Sequence, residues 1–398
     1  MLAQLVAGTH AAPSVDPVPQ CLRALQATTQ GRRISADTWR SHTLGLTLDA
    51  RVLSHLDAQP EFALSIWDYV AATVDAERIA DGQRLMTEHR LALDVIRDRY
   101  HVDVSAVVAI WGLESNFGRG MGEFPVLRSL VTLSCAGRRQ RYFRRELLAA
   151  LRITQAAHFE SAKFIGSWAG AFGHTQFMPG TFEWLAVDLD GDGHKDVLGN
   201  VGDALASTAN YLRNAGWKRD APWGIEVRLP RIAGKTFALA HEGRRIKRSL
   251  ALWTSRGLTR VDGAPLVSAT LEPTTTAGLF TPAGIDGPAF LVMRNFDAVY
   301  RYNAASSYAL SVLHLADRIR GTAAFVTPWP TADLGLSRAE RRELQSILAR
   351  RGYAVGSPAG VLTPETREAV KAEQRRLNVE ATGRPGQRLL ALLRAGGP

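Results

Sequence analysis

Ala109-Ile-Trp-Gly-Leu-Glu114-Ser-Asn-Phe-Gly118 is the stretch on which the reading of this chain turns. It closes a nearly all-apolar run from Val104 to Ser115, which predicts a helix over 103–116. Gly118, Gly120 and Gly122 then break the pattern. Glu114 ends that helix, with Ile110 one turn back on its face. Desolvation at such a place raises a carboxyl's pKa. A carboxylic acid that keeps its proton near neutral pH can donate it to a glycosidic oxygen. The plain alternative is a solvated glutamate, or one paired with an arginine such as Arg119.

Outward from this helix the chain is predominantly helical. Residues 16–100 carry apolar side chains at helical spacing, among them Phe62, Ile66, Tyr69, Val70, Val74, Leu91, Val95 and Ile96. Further helices are expected over 138–157, over 203–214 with Asp203 as N-cap, and over 306–319. Between about 223 and 293 short β-prone runs lie among Gly, Pro and Thr clusters, which predicts a small β-rich insertion. Its expected strands are 225–229, 264–270 and 289–292. A Pro-containing stretch at 327–333 reads as a linker. Residues 334–398 read as a separate module with helices near 338–350, 364–377 and 387–394. The fold class is therefore α+β, mostly α.

Composition narrows the partners. Of 398 residues, 46% are hydrophobic and 22% charged, an ordinary globular balance that excludes disorder for the bulk of the chain. No apolar run is long enough for a membrane-spanning helix. The net charge of +10 favours an acidic partner such as nucleic acid, anionic lipid or an anionic wall polymer. Residues 331–398 contribute 12 Lys+Arg against 7 Asp+Glu, half of that excess. No basic-aromatic module of known type points to nucleic acid. Two cysteines, Cys21 and Cys135, exclude a disulfide scaffold and a zinc module. Their pairing stays open, with free thiols the favoured state. Residues 1–17 are read as a signal-peptide remnant or a disordered segment, and no lipid anchor is expected at Cys21.

A second motif is Gly166-Ser167-Trp-Ala-Gly-Ala-Phe-Gly-His-Thr-Gln176-Phe-Met-Pro. Its glycines let backbone approach a ligand closely, and Gln176 offers an amide that can read an N-acetyl or hydroxyl group. Together with Glu114-Ser-x-x-Gly118, this string resembles the lytic transglycosylases related to the membrane-bound type B enzyme, glycoside hydrolase family 103. The resemblance runs from about 18 to 322. It includes Gln59-Pro-Glu-Phe62, Thr132-Leu-Ser134 before Arg138-Arg139, and Arg301-Tyr302-Asn303 before Tyr308. It implies a lysozyme-like catalytic domain over 18–326 and a periplasmic enzyme. It also implies Glu114 as the one catalytic residue, with Ser167, Gln176, Arg138, Arg139, Tyr302, Asn303 and Tyr308 on the substrate. From the residues alone, Arg138–Arg145 reads as a solvated helix face, and tyrosines at helix spacing are more often core.

Asp188-Leu-Asp190-Gly-Asp192-Gly-His194-Lys-Asp196 sets carboxylates at positions 1, 3, 5 and 9 of a loop turned by Gly193. This is the first half of an EF-hand, with the His194 carbonyl at position 7. Position 12 is Gly199 rather than a bidentate glutamate, and Asp203 is the expected substitute. The family resemblance implies a structural calcium ion here and no catalytic cofactor. The alternative is a loop of Asx turns that holds no metal. The C-terminal module, with Gln345, Gly352, Gly360, Val370, Gln374 and Gly383, resembles the small three-helix peptidoglycan-binding domain. That domain's usual Asp before the second glycine is Ala359 here, which puts the turn in question.

The resemblance implies cleavage of the β-1,4 bond between N-acetylmuramic acid and N-acetylglucosamine in peptidoglycan, as a lyase leaving a 1,6-anhydromuramoyl end. The expected partners are glycan strands with their stem peptides, and the expected state is a monomer. The alternatives are a hydrolytic muramidase, which would want a second carboxylate, and a wall-binding protein without catalysis.

Overall fold

A computed structural model describes residues 16–57, 64–232, 235–236 and 243–396. The signal-peptide reading of 1–17 falls almost wholly outside these residues, as do Gln59-Pro-Glu-Phe62. The chain divides into two compact units, Met1–Gln59 with Gly120–Val201 and Pro60–Arg119 with Gly202–Pro398. Among the described residues no helix is long and apolar enough to cross a membrane.

The first unit is helical. Val126–Cys135 and Gln140–Gln155 pack on one another, and Val18–Gln26, Ala36–Thr43, Ala50–Asp57 and Pro179–Leu185 lie against this pair. Amphipathic spacing drives the packing: Leu147, Ala150 and Leu151 are fully buried, while Arg141, Arg144 and Arg145 are exposed. Cys21 and Cys135 are joined in a disulfide, with Cα atoms 5.7 Å apart. The bridge ties the first helix to the end of Val126–Cys135 and corrects the expectation of free thiols. A sequence separation of 114 conceals that proximity.

The second unit is built around Val104–Ser115. Asp103 caps it, its carboxylate accepting the Ser105 N–H at 2.9 Å. Nine of its twelve residues are buried, so the helix is apolar all round rather than striped. Ser306–Ile319 and Ala76–Glu88 cover it. The β-rich insertion is a five-stranded antiparallel sheet, ordered Arg248–Ser249, Thr276–Phe280, Ala289–Val292, Gly224–Arg228, Thr259–Arg260. Ala289–Val292 is buried throughout, as an inner strand must be. The sheet packs Val227, Leu279 and Leu291 against Trp253 of a short helix, Leu250–Ser255, which the sequence reading did not include.

Two further expectations are corrected. Residues 264–270 form no strand: Pro265 has no N–H for a ladder, and Leu266 is instead a buried plug in the sheet's core. Asp203 is not an N-cap, because the helix begins earlier, at Val201–Asn214, and Asp203 lies fully buried in its first turn.

The C-terminal module has helices Arg338–Arg350, Pro364–Arg376 and Gln387–Arg394 around Leu344, Leu348, Val370 and Leu390. Two buried glutamines close its two turns in the same way. Gln345 accepts the Gly360 N–H at 2.8 Å and donates to the Val361 carbonyl at 2.9 Å. Gln374 accepts the Gly383 N–H at 2.8 Å and donates to the Arg384 carbonyl at 3.2 Å. Gly360 keeps its left-handed backbone (φ +80), so the turn holds with Ala359 in place of Asp.

Candidate active site

Glu114 sits in the last turn of Val104–Ser115, half-buried. That turn ends abruptly. Asn116 and Phe117 both take left-handed backbone, φ 50 and 60, before Gly118 at φ 82. Such geometry costs an L-residue roughly 1–2 kcal/mol, least for Asn, and clusters at functional sites. Packing holds it. The Phe117 ring stands edge-on to Trp111 at 5.6 Å and against Gly112, where any Cβ would lie 2.7 Å from the ring. The Ser115 hydroxyl accepts the Gly118 N–H at 2.8 Å. Arg119 forks onto Asp81 at 2.6 and 3.0 Å.

Tyr308 is the decisive neighbour. It lies in Ser306–Ile319, is 3% exposed, and donates its hydroxyl to Glu114 Oε1 at 2.6 Å. Burial, and then the Glu114 charge, hold its pKa well above the usual phenol value, so it stays a donor. Tyr302 lies parallel to Tyr308 with centroids 6.5 Å apart, and Tyr211 meets Tyr302 edge-on at 4.7 Å. The Tyr211 hydroxyl donates to the Arg301 carbonyl at 2.6 Å and fixes the end of that helix. Asn303, at the helix C-cap, is exposed. Tyr302 and Asn303 thus lie where a ligand can reach them. Tyr308, expected on the substrate, bonds to the carboxyl of Glu114. Tyr211 carries no sequence signal beyond one aromatic in a helix.

In the first unit, Gly166-Ser-Trp-Ala-Gly-Ala-Phe-Gly folds as a tight loop. A Cβ on Gly166 would fall 2.2 Å from the Ala171 carbonyl oxygen, and one on Gly173, φ +77, 2.6 Å from the Val197 oxygen. The Ser167 hydroxyl accepts the Ala171 N–H at 3.0 Å. Gln176, itself left-handed at φ 53, donates its amide to the Met121 and Gly173 carbonyls at 3.0 and 2.9 Å. Its donors are therefore spent on backbone, and its carbonyl oxygen is the group left for a ligand. Arg138 and Arg139 are exposed at the start of Gln140–Gln155, with the Arg139 guanidinium 4.9 Å over the Tyr142 ring. Trp168 stacks on His55 at 5.7 Å, a pairing absent from the sequence reading.

The acidic loop is organised by its own backbone. Asp188 accepts the N–H groups of Gly191 and Gly193 at 2.7 and 2.8 Å, which hold its carboxyl below the usual range. Asp192 accepts the His194 N–H at 2.7 Å, and Asp196 accepts from Leu198 and Gly199 at 2.9 and 2.8 Å. Asp188 and Asp190 bring carboxylate oxygens within 4.8 Å of one another, and Asn200 donates to Asp190 at 2.8 Å. This all-oxygen donor set suits a hard cation. Position 12 remains Gly199, and Asp203 belongs to the helix at the start of the second unit.

The chain thus sets a glutamate at the end of a buried helix, bonded by a tyrosine, in a mostly helical fold of lysozyme-like type. The transglycosylase SLT domain model matches residues 17–317, and the chain belongs to that family. A peptidoglycan binding domain model matches residues 337–393. The chain is 30% identical over 247 residues to membrane-bound lytic murein transglycosylase B of Escherichia coli K12, covering 62% of this chain and 65% of that protein. The alignment thus spans just under two thirds of that relative. SltB3 of Pseudomonas aeruginosa, in complex with NAG-anhNAM-pentapeptide, is 43% identical with a TM-score of 0.75, over 95% of this chain and 99% of that one. The Escherichia coli lytic transglycosylase Slt35 in complex with calcium is 25% identical with a TM-score of 0.64, over 77% and 94%.

Proposed function

We propose that the protein is a peptidoglycan lytic transglycosylase, with Glu114 as acid and then base. The hydrogen bond from buried Tyr308 to Glu114 Oε1 carries this reading, because it fixes a single carboxyl in one orientation. Glu114 donates its proton to the glycosidic oxygen between N-acetylmuramic acid and N-acetylglucosamine. The 2-acetamido group of the muramic residue supports the positive charge at C1, as in substrate-assisted glycosidases. The carboxylate then takes the proton of the C6 hydroxyl, O6 bonds to C1, and a 1,6-anhydro ring closes. Apolar bulk around Glu114 is supplied by its own helix and by the rings of Tyr302 and Tyr308. Tyr302 offers a ring face to a sugar and Asn303 an amide to an N-acetyl group. Gln176 offers an acceptor, Ser167 a hydroxyl, and Arg138 and Arg139 charge for stem-peptide carboxylates.

Asp188, Asp190, Asp192, Asp196 and the His194 carbonyl would hold a structural calcium ion. The module at 334–398 engages the wall polymer, and the basic excess serves the same polyanion. The disulfide suits an oxidising compartment, in keeping with a periplasmic site of action. Mass spectrometry of digested murein tests the reaction: anhydromuramoyl ends are expected, and a predominance of reducing ends would mark a hydrolase. Glu114→Gln should abolish lysis. Full activity in that variant would remove Glu114 from the chemistry.

A further inference from the structure

We propose that Arg338, supplied by the C-terminal module, is a positioning residue for the catalytic carboxyl of Glu114. Arg338 is the first residue of the module's first helix and is 9% exposed. Two arms of its guanidinium grip Asp75, at 2.8 and 3.2 Å. The third donates to the side-chain oxygen of Asn116, two residues beyond Glu114. Asp75 is itself built in, because it caps Ala76–Glu88 by accepting the Arg78 N–H at 2.8 Å.

Two more arginines hold the module to the same region. Arg384 forks onto Asp68 at 2.7 and 2.7 Å, and Arg342 pairs with Glu77. Gly335 comes so close that a Cβ there would lie 2.8 Å from the Asp68 Cα. A module that only tethered the enzyme to its polymer would need no contact with the catalytic helix. This one reaches Asn116, the first residue of the left-handed turn that ends the helix. Asn116 donates its backbone N–H to the Trp111 carbonyl, so its orientation sets the last turn that carries Glu114. The Arg338 clamp opposes relaxation of that strained turn, and Tyr308 fixes the carboxyl itself.

The inference rests on Glu114 being the acid, and the experiment separates the two. Arg338→Ala, Arg338→Lys, Asn116→Gly and Glu114→Gln are made in the full chain. Each is assayed for kcat and KM by release of anhydromuropeptides, for co-sedimentation with sacculi, and for Tm. Asn116→Gly is compatible with the left-handed turn, leaves the Arg338–Asp75 pair, and removes the side chain that carries the clamped oxygen. It should lower kcat about tenfold, with KM and co-sedimentation within twofold and Tm undiminished. Arg338→Ala should do the same, at some loss of Tm. Arg338→Lys keeps the charge on Asp75 without an arm for Asn116, so its kcat should stay near that of Arg338→Ala. Unchanged kcat in Asn116→Gly, beside an inert Glu114→Gln, overturns the inference alone. Loss of sacculus binding with kcat intact in Arg338→Ala overturns it too, and reduces Arg338 to a docking contact. An active Glu114→Gln overturns the acid assignment and this inference with it.

Discussion

Tyr308→Phe separates a ring that binds sugar from a hydroxyl that aims a carboxyl. The substitution deletes one oxygen and keeps the ring, so the packing beside Tyr302 survives. What is lost is a 2.6 Å bond to Glu114 from a side chain only 3% exposed. Hydrogen bonds to charged groups contribute about 1.5–3 kcal/mol. At about 1.4 kcal/mol per tenfold in rate, losing this bond should lower kcat roughly 10- to 150-fold. KM should stay within about twofold, because Tyr308 presents nothing to the substrate. Steady-state release of anhydromuropeptides from purified murein, followed by mass spectrometry, measures both constants. A rise in KM with unchanged kcat would refute the reasoning and return Tyr308 to the substrate. Unchanged values of both would show that Glu114 is held without it.

His314 should make the fold acid-sensitive. Burial pushes its pKa down from 6.5 to about 4, helped by Arg318, and its ring stacks on Phe325 at 3.7 Å. The imidazole is neutral in the fold, so its contribution is complete above pH 6.5. It is lost as the pH falls toward 4, by up to about 3 kcal/mol. His314→Gln should flatten that limb of a Tm-against-pH curve; an unaltered slope would acquit His314. Reducing Cys21–Cys135 frees a loop of 114 residues and should cost up to about 5 kcal/mol in urea unfolding. A cost under about 1 kcal/mol would show the reduced first unit already held by packing. Calcium at about 100 times its Kd should stabilise the chain by about 2.7 kcal/mol over chelator, read as a higher Tm. Asp188→Asn should remove that shift, and no shift in the parent protein would leave the acidic loop without a metal.

Much of the site is local and was legible from the chain. The apolar run and the terminal Glu114 both lie within one helix. The Asp-x-Asp-Gly-Asp-Gly loop closes on its own N–H groups. The three short helices of the module follow their periodicity. Signals of this kind act over a few residues, through hydrogen bonds and the 3.6-residue repeat, and need no partner from afar. Local signals failed at 264–270, where β-prone side chains lay over a proline and the buried Leu266 became a plug, at Asp203, which lies inside its helix rather than capping it, and at Leu250–Ser255, a short helix that went unread.

Only the tertiary structure decided what faces what. Tyr308 is 194 residues from Glu114, Cys135 is 114 from Cys21, and Arg338 is 222 from Asn116. In sequence, Tyr308 reads equally as core or ligand site, and Arg338 as one more charge on a solvated helix. A side chain's role depends on which groups packing brings to it and whether water is excluded there. Composition and local pattern cannot carry that information, because it arises when distant helices bury their faces together. The residues for the chemistry are written in two short motifs, and the fold decides how tightly each is held.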